Sequence, residues 1–237
     1  MSSRTKLDLY SPSHRWLRYL LGYLSLLLVS ILSKVKIKGR HHIPETGPYI
    51  VAINHFSLVD PAFVVSALQR PIIFLAASDQ TIPWYYGWAA WLYGFIPTNR
   101  TRLGPSTIKR AKKVLQQKEI LGIFPEGTST DSVLRKAKKG VVYLATLRNY
   151  AILPVGICGL ENVWSDWLKG VRPLVKIEIG KIFYPEAKET ENHNRDQKMD
   201  IIGETVMCRI AALLPETAHG AFTNNKRISQ FIKENNE

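Results

Sequence analysis

Acidic side chains are scarce in this chain, with 19 Asp and Glu against 32 Lys and Arg, and cysteine is nearly absent, Cys158 and Cys208 being the two examples. Two thiols, each inside an apolar segment, make no disulfide framework and read as reduced core side chains of a cytosolic protein. Metal-ligand spacing is missing: His41-His42 form an isolated pair and His193 lies in a Glu/Asn-rich stretch, so no metal is expected. Internal repeats, low-complexity tracts and linkers are absent too. The 237 residues are therefore expected to fold as one domain around one core.

The surplus of positive charge, formally +13, is concentrated, since residues 101–148 hold eleven Lys and Arg against three acids. A patch of that kind attracts anionic partners, whether a phospholipid surface, a phosphorylated substrate, a nucleotide-bearing carrier or nucleic acid. No zinc-finger spacing, RNA-binding aromatic signature or helix-turn-helix pattern accompanies it, so nucleic acid is not the expected partner.

Long apolar runs are also few. Residues 19–32 give fourteen uncharged, leucine-rich positions. As a helix the run is about 21 Å long at ~1.5 Å per residue, short of a ~30 Å hydrocarbon core. Arg15 and Arg18 precede it and Lys34, Lys36, Lys38 and Arg40 follow, so basic flanks set no orientation across a bilayer. A monotopic helix in one leaflet at the cytoplasmic face is expected, with residues 1–34 as the membrane-associating segment; an ordinary buried helix is the alternative. Ser33-Lys34-Val35-Lys36 is no secretory cleavage site, and Met1-Ser2-Ser3 lacks the glycine for myristoylation.

Two segments stand out against this background. Asn54-His55-Phe56-Ser57-Leu58-Val59-Asp60 follows the apolar run 49–53, and Phe124-Pro125-Glu126-Gly127-Thr128-Ser129 ends the apolar run 120–124. Both runs read as buried strands. Chemical groups just past strands of an open α/β sheet sit where ligands bind, so one site can hold both segments. His55 and Asp60 supply a general base and a carboxylate to orient it, the parts needed to deprotonate an alcohol. Asp60 before Pro61 also reads as a helix N-cap, one oxygen capping while the other accepts from the imidazole.

These residues resemble the glycerolipid acyltransferase family, which includes the 1-acylglycerol-3-phosphate acyltransferases. Asn54, His55 and Asp60 match its first block, 94–100 ending in Arg100 its second, 124–128 its third, and 152–157 with Pro154 its fourth. The resemblance spans roughly residues 35–222. It implies His55 and Asp60 as catalytic pair, and Asn54, Arg100, Glu126, Gly127, Thr128, Ser129 and Pro154 at the substrate. Arg100 is the implied anion ligand, its guanidinium able to grip a phosphate with two parallel bonds. An acyl thioester on coenzyme A or acyl carrier protein is the implied donor, with no further cofactor, and a lysolipid the acceptor. Many members carry arginine where this chain has Ser129, acid where it has Asn99, and arginine where it has His219, which leaves the acceptor head group open.

Strands are expected at 35–38, 49–53, 72–76, 120–124, 152–157 and 174–180, and helices at 61–68, 84–93, 105–118, 139–147 and 199–214. That alternation predicts an α/β domain over 35–222 with a central mixed sheet flanked by helices, followed by a polar tail over 223–237. The aromatic stripe Trp84, Trp88, Trp91 belongs either to the core or to a membrane interface. The activity expected is O-acyl transfer from a thioester to 1-acylglycerol 3-phosphate, giving phosphatidic acid. Another lysolipid acceptor is the alternative within this chemistry, and a non-catalytic basic lipid- or nucleic-acid-binding protein the alternative outside it.

Overall fold

The computed structural model describes residues 14–77, 92–99, 103–129, 132–146, 150–185 and 195–236. Helix α1 (Arg15–Leu32) leads into β1 (Lys34–Lys38), followed by β2 (Ile50–Ile53), α2 (Asp60–Leu68), β3 (Ile72–Ala77), β4 (Phe95–Thr98), α3 (Pro105–Gln116) and β5 (Ile120–Ile123). Then come α4 (Lys139–Ala145), β6 (Ile152–Cys158), α5 (Val163–Leu168), β7 (Leu174–Ile179), α6 (Arg195–Ala211), two single 3-10 turns and α7 (Lys226–Asn236). The strands form one seven-stranded sheet in the order β1-β7-β6-β2-β5-β3-β4. Neighbours run parallel except β6 and β7, so the expected mixed sheet is what forms.

β2 occupies the middle because every residue in it is buried. Side-chain alternation sends Ile50 and Ala52 to one face and Val51 and Ile53 to the other, and a separate apolar layer covers each face. On the first face lie α3, α4, α6 and α7; on the second, α1 and α2. The chain passes from β2 through α2 to β3 on one side of the sheet, and later from β5 through α4 to β6 on the other. The ends of β2, β5 and β6 therefore surround a topological switch point, the usual location of a ligand crevice in such sheets.

Several elements differ from the sequence expectation. Residues 226–236 are helical rather than a polar tail, because Ile228 and Phe231 fall one turn apart and bury against the core. β4 and the six-residue α5 were not expected; both are too short for a periodic pattern to register. Closing helix α6 starts four residues earlier than expected and stops at Ala211. Of the aromatic helix expected at 84–93, only Leu92 and Tyr93 fall within the described residues, and both are helical.

Helix α1 has a narrow inner face. Ser25 donates to the Ala62 carbonyl (2.9 Å), Arg18 reaches Glu119 (3.2 Å), Val29 is buried, and Gly22 leaves room for Val65. Its other face, from Trp16 through Tyr23, Leu24, Leu27 and Leu28 to Ile31, is apolar and exposed.

At the sheet centre, Gly122 makes room for a neighbouring ring. A Cβ there would stand 2.4 Å from Phe74 Cδ1 and 2.8 Å from Ile72 Cγ2. Gly122→Ala should therefore cost about 1–3 kcal/mol, the usual range for overpacking a core. Denaturant unfolding measures it, and an unchanged midpoint would show that Phe74 moves aside freely.

Candidate active site

The site grows from the carboxyl end of β2. Asn54, fully buried, turns its amide onto β6: its Nδ2 donates to the Ile157 carbonyl and its Oδ1 accepts the Ile157 N–H, both at 2.8 Å. Both ends of that amide are thus spent on backbone, which fixes where the next residue emerges. His55 emerges half-buried, with its ring stacked on Phe124 at 4.2 Å between centroids, and Phe124 stacks on Phe74 in turn. The ring that Gly122 accommodates therefore belongs to the floor beneath the imidazole.

Asp60 is fully buried at the first turn of α2. Its Oδ2 accepts three hydrogen bonds: from the Phe56 N–H (2.8 Å), from the Ser57 N–H (2.8 Å), and from His55 Nδ1 (2.9 Å). The cap expected from sequence is not made. Val59 holds the N-cap position without a side-chain bond, and the Asp60 carboxylate reaches back over the preceding loop instead of forward into α2. Nor is the work divided between the two oxygens, since buried Oδ1 has no hydrogen-bond partner among the described residues. Because two backbone N–H groups already end on Oδ2, that oxygen is an acceptor and His55 Nδ1 must be the donor. The imidazole is thereby held in the tautomer whose Nε2 carries a lone pair.

Burial pushes the Asp60 carboxyl up from its ordinary range, while its bonds from His55, Ser57 and Phe56 pull it back down. Two other acid groups are silenced chiefly by burial, with nearby carboxylates adding to it: the Cys208 thiol, near Glu204, is pushed up to about 11, and that of Cys158, near Glu161 and Glu178, is raised as well. Neither thiol offers a thiolate nucleophile near neutral pH.

Glu126 follows β5, beside β2, and is buried. Its Oε1 accepts the His55 N–H (3.1 Å) and its Oε2 the Arg135 N–H (2.9 Å), so the carboxylate ties the histidine loop to the segment before α4. Gly127 adopts φ +68°, and a Cβ on it would strike the Lys138 side chain at 2.8 Å. Lys138 thus lies over the 126–129 turn, a cation that motif reading overlooked although it stands in the basic run 135–139. Thr128 is half-buried and Ser129 exposed beside it.

His55, Asp60, Glu126, Gly127, Thr128 and Ser129 are gathered at one end of the sheet, with Asn54 beneath them. Pro154 is set apart within β6, buried opposite Ala52. His219 is buried with Nε2 3.3 Å from the Leu214 carbonyl, held in the closing turn of the fold. Arg100 lies outside the described residues.

An imidazole with its lone pair fixed by a buried carboxylate, at the switch point of an α/β sheet, is an arrangement chemically able to take up a proton. Comparison narrows the class. The profile of a family described as Acyltransferase matches residues 34–158, more than half of the chain, and the chain belongs to that family. Among curated relatives, the 1-acyl-sn-glycerol-3-phosphate acyltransferase alpha of Mus musculus is 29% identical over 136 residues, which are 56% of this chain and 48% of that protein. The 1-acyl-sn-glycerol-3-phosphate acyltransferase of Bacillus subtilis is 27% identical over 150 residues, 62% of this chain and 74% of that one. The match spans about half the length of the mammalian relatives. The crystal structure of the 1-acyl-sn-glycerophosphate acyltransferase from Thermotoga maritima shares the fold, with a TM-score of 0.59 at 20% identity, covering 83% of this chain and 79% of that one.

The raised Asp60 carboxyl sets a sign for stability against pH. A group whose folded pKa lies above its unfolded value, ~3.9 for aspartate, contributes fully below that value and loses its contribution as pH rises through the folded pKa. The stability of the wild type relative to Asp60→Asn should therefore fall as pH rises from acid toward neutral. Denaturant curves of both proteins across that window test it, and a difference that rises with pH would reverse the assignment.

Proposed function

We propose that this protein transfers a fatty acyl group from a thioester, carried on coenzyme A or acyl carrier protein, to the free hydroxyl of 1-acylglycerol 3-phosphate. The observation that carries the reading is the His55–Asp60 pair, whose geometry leaves Nε2 to take a proton. As the acceptor oxygen attacks the thioester carbonyl, its proton moves to Nε2, and collapse of the tetrahedral intermediate breaks the C–S bond. The departing thiolate takes the proton back. Ionised Asp60 steadies the imidazolium that exists between these steps. The donor is already activated, so no covalent acyl-enzyme is required, in keeping with two thiols held protonated by burial.

The acceptor assignment draws on the names of the relatives and on charge. Lys138 over the Gly127 turn supplies one cation for an acceptor phosphate, and Arg100 is proposed as a second from the motif alone. Asn54 and Glu126 act through backbone bonds as positioning residues, and Thr128 and Ser129 offer hydroxyls at the rim. Exposed Ser129, at a position where the family resemblance implies arginine in many members, favours a second reading in which the acceptor is another lysolipid.

Attachment to a membrane, proposed at its cytoplasmic face, is supported by α1, a helix long and apolar enough by length and composition to cross a bilayer. Its contacts with Ala62, Val65 and Glu119 hold it along the domain, and this favours a helix lying in one leaflet with its apolar face toward lipid.

Thiol release dependent on an added lysolipid tests the chemistry. The wild type should release thiol with lysophosphatidic acid, and folded His55→Ala should be slower by ~10²–10⁴-fold, the range for removing a general base. Release without any acceptor, or wild-type turnover by His55→Ala, would overturn the reading; preference for a different lysolipid would select the second.

A further inference from the structure

Beyond the end of α1 the surface carries a second apolar projection that the site does not use. Helix α5 closes in a Schellman motif: Val171 N–H donates to the Asp166 carbonyl (2.8 Å) and Gly170 N–H to the Trp167 carbonyl (3.0 Å), with Gly170 at φ +69°. In such a cap the apolar residue after the glycine commonly packs back on its helix. Here Val171 is 51% exposed, and Leu168, on the last turn, is 90% exposed. Both are held outward by a closed hydrogen-bonded turn rather than left on a loose loop.

This turn is tied to α1. Trp167 Nε1 donates to the Leu32 carbonyl (3.0 Å), and the Arg172 guanidinium donates to the Ser33 carbonyl (3.0 Å) and to the Ser30 carbonyl. Trp167 packs edge-on to Trp164, which is exposed. The end of α1, where Ile31 and Leu32 are exposed, thus adjoins the turn that exposes Trp164, Leu168 and Val171. Lys169 is exposed within the turn and Lys34 at its edge, while the acid Asp166 lies in the first turn of the same short helix, Glu161 just before it, and none falls among residues 167–176. An apolar tip with Lys169 and Lys34 beside it matches an anionic lipid surface, where apolar side chains insert and lysines meet head-group phosphates. A protein-binding patch would gain nothing from continuity with a lipid-facing helix.

We propose that the α5 turn, centred on Leu168 and Val171, is a second membrane-inserting element, which with α1 fixes how the domain sits on an anionic bilayer. The proposal rests on the reading of α1 as a membrane helix. Two contacts separated along the surface define an orientation, whereas a single helix leaves the domain free to roll about its axis.

Co-sedimentation of the full chain with vesicles of equimolar phosphatidylcholine and phosphatidylglycerol tests this. The double variant Leu168→Ser/Val171→Ser should bind at least ~10-fold more weakly, since two apolar side chains no longer leave water. Its melting temperature, and its turnover of detergent-dispersed substrate, should match the wild type. Lys169→Glu should weaken binding to these vesicles on the order of 10-fold but leave binding to pure phosphatidylcholine unchanged. The α1 variant Leu24→Glu/Leu28→Glu is run alongside. If it loses vesicle binding while the α5 double variant and Lys169→Glu bind as wild type, the second element is refuted and the α1 reading stands. If none of the variants changes binding, both fail. A wild-type dimer by sedimentation velocity that the α5 double variant dissolves, with vesicle binding intact, would show a second copy covering the patch and would overturn the proposal.

Discussion

Everything at this site hangs on one oxygen atom. Asp60 Oδ2 receives the Phe56 and Ser57 backbone N–H groups and the His55 ring, and so fixes at once the loop between β2 and α2 and the proton position on the imidazole. A carboxylate with three donors on one oxygen and, among the described residues, none on the other is an uneven use of its capacity. The unevenness has a consequence for substitution. Asparagine can place its carbonyl oxygen where Oδ2 now lies, retaining all three bonds, so that what it removes is the negative charge and not the histidine tautomer. Loss of activity in that variant would then report electrostatic support of the imidazolium rather than misorientation of the ring.

The same helix links the site to the lipid-facing surface. α2 begins at Asp60, and two residues in its Ala62 carbonyl accepts from Ser25 of α1. A displacement of α1 on the domain would therefore be felt by the helix that bears the carboxylate. On the opposite side of the histidine, Asn54 and Glu126 hold the loop to β6 and to the 135 segment through backbone bonds. Three buried polar side chains thus surround one half-buried ring. Each bonds main chain, Asp60 the His55 ring as well, which is how a loop residue acquires the fixed position that proton transfer requires.

Much of this was legible in the sequence because the central strands are runs of apolar residues bounded by turn chemistry. Residues 50–53, 120–123 and 152–158 lie in a parallel-centred sheet buried on both faces, a setting that favours unbroken apolar strands. The His55 to Asp60 spacing located the pair. It did not reveal which way the carboxylate turns, because an aspartate before a proline satisfies the local rule for an N-cap whether or not its side chain uses it. Asn54 read as a substrate ligand since a motif gives an identity and not a direction; only the position of β6 beside β2 shows its amide engaged. Lys138 was hidden in a basic run whose members look alike until Gly127 places one over the site. The α5 turn gave no sequence signal, as six residues are too few for periodicity and exposed Leu168 resembles any surface leucine.

Nitrogen-15 NMR of the histidine ring nitrogens, at a pH above the imidazole titration range and with the His55 signals assigned by their loss in His55→Ala, tests the arrangement most directly. The account predicts a protonated Nδ1 and an unprotonated Nε2 on His55 in the wild type, and the same tautomer in Asp60→Asn. A proton on Nε2 in the wild type, or a tautomer inverted by the asparagine, would contradict the convergence of three donors on one oxygen and with it the assignment of His55 as a pre-set base.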